Sequence, residues 1–270
     1  VTEIIGPAFY NYLRKNKPQT IDAADQIFSL FGRSVHAILE ASETDENNIV
    51  EKRFFKDYEI NGKLYKLGGK IDLYEGQRKQ LSDFKVTSIF KINEALSGKV
   101  PEEWIWQLNI LRLLMKSNCG IDVNSLSITG IARDWRESER RDYIARSPIS
   151  AIHIPILDCA KVEAFIIERL TDHITIKSRL GQVTECSKEE RWERPPKYAA
   201  IKEGGKRALK LFDSNEDANA WLEKQNDKDM IKLIDRPGRR TRCERYCPVN
   251  MHCPGYIKYI DRSGDKNEIV

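Results

Sequence analysis

The chain has 270 residues, 40% hydrophobic and 32% charged, with a net charge of +4. This is an ordinary soluble balance, large enough for one sizeable core or a core with a small appended unit, and no run approaches the roughly 20 apolar residues a membrane span needs. The net charge is too small to establish a nucleic-acid partner, and six cysteines in a chain this long do not make a secreted disulfide scaffold.

Residues 21–41 read as a helix, because Ala24, Phe28, Phe31, Val35 and Ile38 recur at three- and four-residue steps. His36 lies beside that stripe, with Glu40 one turn on. Residues 49–58 and 63–74 read as strands joined by Asn61-Gly62, a strong hairpin signal. A third strand is expected over Gln80–Val86. Strand alternation puts Asp72 on a face with Lys70 and Tyr74, and Asp83 on a face with Leu81 and Lys85. A helix over 102–116 follows Pro101, with Trp104, Leu108, Leu111 and Met115 inward and Gln107 at the edge. Trp106 lies off that stripe, which makes it a candidate platform for an unpaired base. Leu126–Arg133 and Ile152–Leu157 read as strands, and 159–179 as a helix.

Beyond these, Lys197–Lys202 and Lys206–Phe212 read as strands, 215–225 as a helix with Ser214 and Asp217 as a variant capping box, and Met230–Ile234 as a third strand. The organisation expected is a core over 1–185, a linker with a small ββαβ insertion over 186–235, and a basic, cysteine-rich C-terminal arm over 236–270. Within the arm, Arg236, Arg239, Arg240, Arg242 and Arg245 form a basic cluster. It reads either as a solvated loop or as a surface for phosphates, with Arg239, Arg240 and Arg242 the candidate contacts.

Two constellations carry chemistry. Asp72, Asp83 and Lys85 put two carboxylates and an ammonium on neighbouring strands. This suits a divalent cation, Mg²⁺ or Mn²⁺, and an attacking water at a phosphodiester. His36 and the Phe84 backbone carbonyl would add ligands, and Lys85 would hold the water or neutralise the phosphate. The bland alternative is a surface ion pair. The second constellation is Cys243-x3-Cys247-x5-Cys253, with Cys186 the candidate fourth ligand and Cys119 and Cys159 its rivals. Four thiolates would close a Zn²⁺ shell or hold an iron–sulfur cluster. The clustering, and residues 1–18 lacking a basic-then-apolar leader, lead to the expectation of a reduced, cytoplasmic setting.

The ordered segments Gly32-Arg33-Ser34-Val35-His36, Gly69-Lys70-Ile71-Asp72, Asp83-Phe84-Lys85 and Gln107-Leu108-Asn109-Ile110-Leu111 resemble the PD-(D/E)xK nuclease superfamily. Within it they are similar to the RecB-like group, which includes the AddB nuclease domain and the iron–sulfur CRISPR-adaptation nucleases. The resemblance covers residues 20–117 by motif. It implies an α/β, restriction-endonuclease-like core with a central mixed sheet flanked by helices. It also implies metal binding by His36, Asp72 and Asp83, a catalytic Lys85, Gln107 beside the site, and a 4Fe–4S cluster on the cysteines. The implied substrate is DNA, single-stranded or with free ends, and the implied partners are recombination, repair or adaptation proteins. The family often has tyrosine four residues after the glutamine, where this chain has Leu111. A nucleic-acid-binding module that does not cut, and a subunit active only with partners, are the rival readings.

Overall fold

A computed structural model describes residues 1–19, 26–41, 46–205 and 207–263. The chain divides into two compact units, Val1–Tyr12 with Thr20–Leu180, and Leu13–Gln19 with Gly181–Val270.

After α1 (Thr2–Ile5), α2 (Ala8–Asn16) and α3 (Gln26–Glu40), the chain enters a long hairpin. Its turn forms as the sequence dictates: Asn61 and Gly62 both have positive φ, 54° and 72°, which a two-residue turn between right-twisted strands requires. The two strands predicted on either side are each broken. One becomes β1 (Ile49–Val50) and β2 (Arg53–Ile60), the other β3 (Lys63–Lys70) and β4 (Leu73–Glu75). The register runs through the break unchanged, with Arg53 opposite Lys70 on one side and Val50 opposite Leu73 on the other. At the break the backbone still pairs: the Glu51 N–H donates to the Asp72 carbonyl at 3.0 Å and the Ile71 N–H to the Lys52 carbonyl at 2.9 Å.

Beyond the break, β4 joins a five-stranded mixed sheet in the order β1–β4–β5–β6–β7, where β5 is Gln80–Thr87, β6 is Ser125–Ala132 and β7 is Ile149–Ile154. The β5–β6 pair is parallel and the others antiparallel. A parallel pair needs a long crossover. Here it is supplied by α4 (Ile89–Leu96) and α5 (Glu102–Cys119). Ser88 caps α4 by accepting the Lys91 N–H, and Gly120 closes α5 in the left-handed region at φ 62°. The inward stripe expected on α5 is buried, but so are Asn109, Ile110, Leu113 and Leu114. The helix is covered on a second side by α6 (Cys159–Thr175), whose Val162, Ile166 and Leu170 join the same core. The stripe expected on α3 behaves differently. Phe28, Phe31 and Ile38 stay exposed on a helix that runs along β5, with Arg133 over the Phe28 ring. Ala24 lies outside the described residues, as does the start of that helix.

Gly69 shows how tightly α5 sits on the hairpin. A Cβ there would come within 2.5 Å of Leu111 Cδ2 and 3.2 Å of Leu114 Cδ1, and neither buried leucine has room to yield. Gly69→Ala is expected to cost about 1–3 kcal/mol of stability through overpacking, read as a lowered urea midpoint at unchanged slope.

In the second unit, β8 (Glu193–Arg194) precedes a three-stranded antiparallel sheet of β9 (Lys197–Lys202), β10 (Ala208–Phe212) and β11 (Ile231–Arg236), with β9 central. The helix α7 (Asn215–Leu222) packs on it through Ala218, against Ala200, Phe212 and Ile231. Ser214 caps α7: its hydroxyl accepts the Asp217 N–H at 3.1 Å and donates to the Asp217 carboxylate at 2.8 Å. The arm then runs through β12 (Arg239–Arg240), which pairs with β8, then α8 (Thr241–Arg245) and α9 (Pro254–Ser263). Lys206, expected to open a strand, lies outside the described residues. No helix among the described residues is long and apolar enough to cross a membrane.

Candidate functional site

Register builds the first site. On β4 and β5, Leu73 is opposite Ser82 and Tyr74 opposite Leu81. One further step along both strands sets Asp72 beside Asp83. On the other side, the step beyond Val50 and Leu73 sets Glu51 beside Asp72. Glu51, Asp72 and Asp83 thus form a row across three strands, at the break in the hairpin. Glu51 occupies the left-handed region at φ 52°, a strained conformation for a non-glycine residue that clusters at functional sites.

Side chains converge on this row. His36 Nδ1, from α3, lies 3.5 Å from Asp72 Oδ2 and 3.9 Å from Glu51 Oε1. Among the described residues, only His36, Glu51 and Asp72 bring three ligand atoms within 4.8 Å of one another. Asp72 Oδ2 also accepts the Phe84 N–H at 2.8 Å. The contact Phe84 makes here is therefore through its N–H, whereas its carbonyl was the expected contributor. Asp83 is only 2% exposed. Its Oδ2 pairs with Lys85 Nζ at 2.8 Å, and its Oδ1 accepts Gln107 Nε2 from α5 at 2.7 Å. At the other end of the row Lys70 forms an ion pair with Glu51.

Burial pushes the Asp83 carboxyl up to about 6. Lys85 opposes this with its charge and hydrogen bond, while the Asp72 charge adds to it. A buried carboxyl in that state binds a cation readily, because the cation supplies the charge compensation that water cannot. One imidazole with hard carboxylate oxygens fits Mg²⁺ or Mn²⁺.

The sequence reading placed His36, Asp72, Asp83, Lys85 and Gln107 in one site, and the fold brings all five together. Two of its details change. Burial does not alternate where β3 ends, since Lys70 is exposed while Ile71 and Asp72 are both buried, yet the Lys70 ammonium reaches Glu51 beside Asp72. Glu51 was missed. The run Glu51-Lys52-Arg53 inside an otherwise apolar strand pattern was its only trace. The side chain of Glu40 lies outside the described part of the structure. Trp106 is not the open platform expected, because one ring face is stacked on Phe165 at 3.7 Å between centroids and 6° between planes. Leu111, where the resemblance leads to tyrosine, packs near Gly69. His173 Nε2–H donates to the Gly6 carbonyl at 3.1 Å, a structural role, and Cys119 is exposed at the end of α5.

The second site lies wholly within the C-terminal unit. The helix expected over 159–179 is α6 followed by a 3-10 turn over Ile176–Arg179. α6 stops at Thr175, and Cys186 follows in irregular chain. It nonetheless lies close enough to Cys243 and Cys253 for their charges to raise its pKa, and Cys247 and Cys253 do the same to Cys243. Burial is the larger cause. It lifts Cys186 to about 12 and Cys243 to about 11, with Cys247 and Cys253 also raised. Four crowded thiols that resist losing protons are stable only as thiols or around a cationic centre that compensates the thiolates. Among the described residues no three of these sulfurs come within 4.8 Å of one another, and four thiolates can close a zinc shell or hold an iron–sulfur cluster.

The arm's arginines are spent largely on holding this site. Arg191 is buried, bonded to the Cys186 carbonyl at 2.6 Å and paired with Glu185 and Glu193. Arg240 pairs with Glu185 at 2.7 Å and reaches the Gly255 carbonyl. Arg242 donates to the Glu190 carbonyl and lies over Trp192, and Arg239 pairs with Glu244. Each of Arg239, Arg240 and Arg242, the expected phosphate contacts, has an acceptor inside the unit, and the Arg239 side chain stays 57% exposed.

No family model matches the chain, and no curated protein does. Among solved structures, the crystal structure of SSO0001 aligns with 17% sequence identity and a TM-score of 0.43, over 65% of this chain and 74% of its own.

Proposed function

We propose that this chain is a divalent-metal-dependent DNA nuclease on a restriction-endonuclease-like core, with a 4Fe–4S cluster on Cys186, Cys243, Cys247 and Cys253. The observation that carries the reading is the row Glu51–Asp72–Asp83 with His36 over one end and Lys85 at the other. His36, Glu51 and Asp72 would hold Mg²⁺ or Mn²⁺, with Asp83 beside Asp72 in the same row. The ion, when bound, polarises a phosphoryl oxygen and lowers the pKa of a water.

The chain's own residues do the rest. Gln107 fixes Asp83 by one oxygen, which leaves the other to face Lys85. The Lys85 ammonium, three-quarters buried, neutralises charge growing on the phosphate or steers the water. The Phe84 N–H orients Asp72, so the carboxylate needs no reorganisation when the substrate arrives. DNA ends or single strands are the substrate favoured by the sequence resemblance. The sequence resemblance favours iron–sulfur over zinc on the four cysteines, and the role that fits it is closing the C-terminal arm.

The test is degradation of end-labelled single-stranded and duplex DNA, linear and circular, by anaerobically purified protein with Mn²⁺, Mg²⁺ or EDTA. Cutting that requires the metal and drops at least 100-fold in Lys85→Met is expected. Survival of circles would define an exonuclease. DNA bound but not cut under any metal would replace the enzyme with a binding module.

A further inference from the structure

We propose that Lys70 is an internal counterion of the metal site, paired with Glu51 until a divalent ion binds and then released to hold the substrate phosphate. This rests on the nuclease reading above.

The Glu51 carboxylate is nearly buried, with 8% of its side chain exposed. A buried carboxylate without a partner is costly, and this one stands beside Asp72 in a row of three acids. Lys70 supplies the charge: its ammonium pairs with Oε2, while Oε1 turns toward His36. The row is therefore closed by a lysine at each end, Lys85 on Asp83 and Lys70 on Glu51. The two differ in freedom. Lys85 is 26% exposed, Lys70 42%. Lys70 is the last residue of β3, at the break where the hairpin leaves its regular alternation. Its long stem can swing the head group without moving the backbone.

Charge decides the sequence of events. Three carboxylates against two ammonium groups leave one net negative charge, with His36 neutral. A divalent ion on His36, Glu51 and Asp72 turns that into one net positive charge, which a single phosphodiester cancels. The same ion repels the ammonium that shares its carboxylate. Lys70 then gains more from the substrate phosphate than from Glu51.

Two measurements on the full chain test this. The first is Mn²⁺ binding by electron paramagnetic resonance, without nucleic acid. Lys70→Met is expected to bind Mn²⁺ about three- to tenfold more tightly than wild type, because a competing cation is gone. Lys63→Met, on the same hairpin and exposed, controls for general loss of charge. The second is DNA affinity with and without Ca²⁺. Lys70→Met should weaken binding about three- to tenfold with the ion present and leave it unchanged without.

Unchanged or weaker Mn²⁺ affinity in Lys70→Met, or an equal loss of DNA affinity with and without Ca²⁺, overturns the proposal and leaves the nuclease reading standing. Mn²⁺ binding that is absent, or that does not respond to His36→Ala, removes the metal site and both readings with it. If Lys70→Met does not fold, judged by its melting curve, Lys70→Gln serves the same two measurements.

Discussion

Asp83→Asn is expected to make the metal-free protein more stable while abolishing hydrolysis. The carboxyl is almost wholly buried, and burial pushes it up to about 6 against a reference of 3.8. The sign follows from linkage. Between about pH 4 and pH 6 the folded chain holds a proton that the unfolded chain has lost, so folding stability falls as pH rises through that window. Below it both states are protonated and the wild type carries no penalty. Above it the full penalty of the buried charge is present, about 1–3 kcal/mol. Asparagine removes the buried charge, and its side-chain oxygen still accepts the Gln107 hydrogen bond. At pH 7.5 the variant should therefore melt about 2–8 °C higher, and the gap should close toward pH 4. A gap that persists at pH 4, or a lower melting temperature at pH 7.5, would contradict the assigned environment. Hydrolysis in the same variant should fall about a thousandfold or more, since the amide neither balances Lys85 nor holds a cation.

Replacing any one of Cys186, Cys243, Cys247 or Cys253 by serine should strip iron and acid-labile sulfide from anaerobically purified protein. It should also open the C-terminal unit to proteolysis. Four-thiolate centres contribute on the order of 10 kcal/mol to the folding of the segments they join. The unit's small sheet and α7 bury Ala200, Phe212, Ala218 and Ile231 together, and the Arg191–Glu185–Arg240 network lies beside Cys186. Cys119→Ser and Cys159→Ser should leave iron content unchanged. Stoichiometric zinc without sulfide would replace the cluster by a zinc shell, and an unchanged metal content in Cys186→Ser would remove that residue from the ligand set.

Much of this molecule is readable along the chain because the forces involved are local. Asn61-Gly62 demands its turn, Ser88 and Ser214 cap the helices that follow them, and the alternation of Leu81, Asp83 and Lys85 survives intact because β5 is an uninterrupted strand. The spacing of Trp104, Leu108, Leu111 and Met115 likewise predicted an inward face that is buried. The errors came where neighbours override local pattern. Periodicity marked Phe28, Phe31 and Ile38 for burial, but an apolar stripe is buried only if another layer covers it. Trp106 lay off its helix stripe, and it took α6 to bring Phe165 against its ring. The arginines of the arm were read by number and sign, yet where a guanidinium points is set by which carbonyls and carboxylates lie within reach.

The residues of the candidate metal site were legible as a set: His36, Asp72, Asp83, Lys85 and Gln107 are each of a chemically informative type, in an ordered series. Their common meeting point was not. It depends on an unbroken hairpin register carried past a break at Glu51-Lys52 and Ile71-Asp72, and then on the pairing of β4 with β5. Those pairings are long-range, and a slip of one residue in either would turn every side chain to the opposite face. Glu51 and Lys70 belong to the site for that reason alone: composition and spacing supply the chemistry, while strand register decides which charges share a space too dry for them to ignore one another.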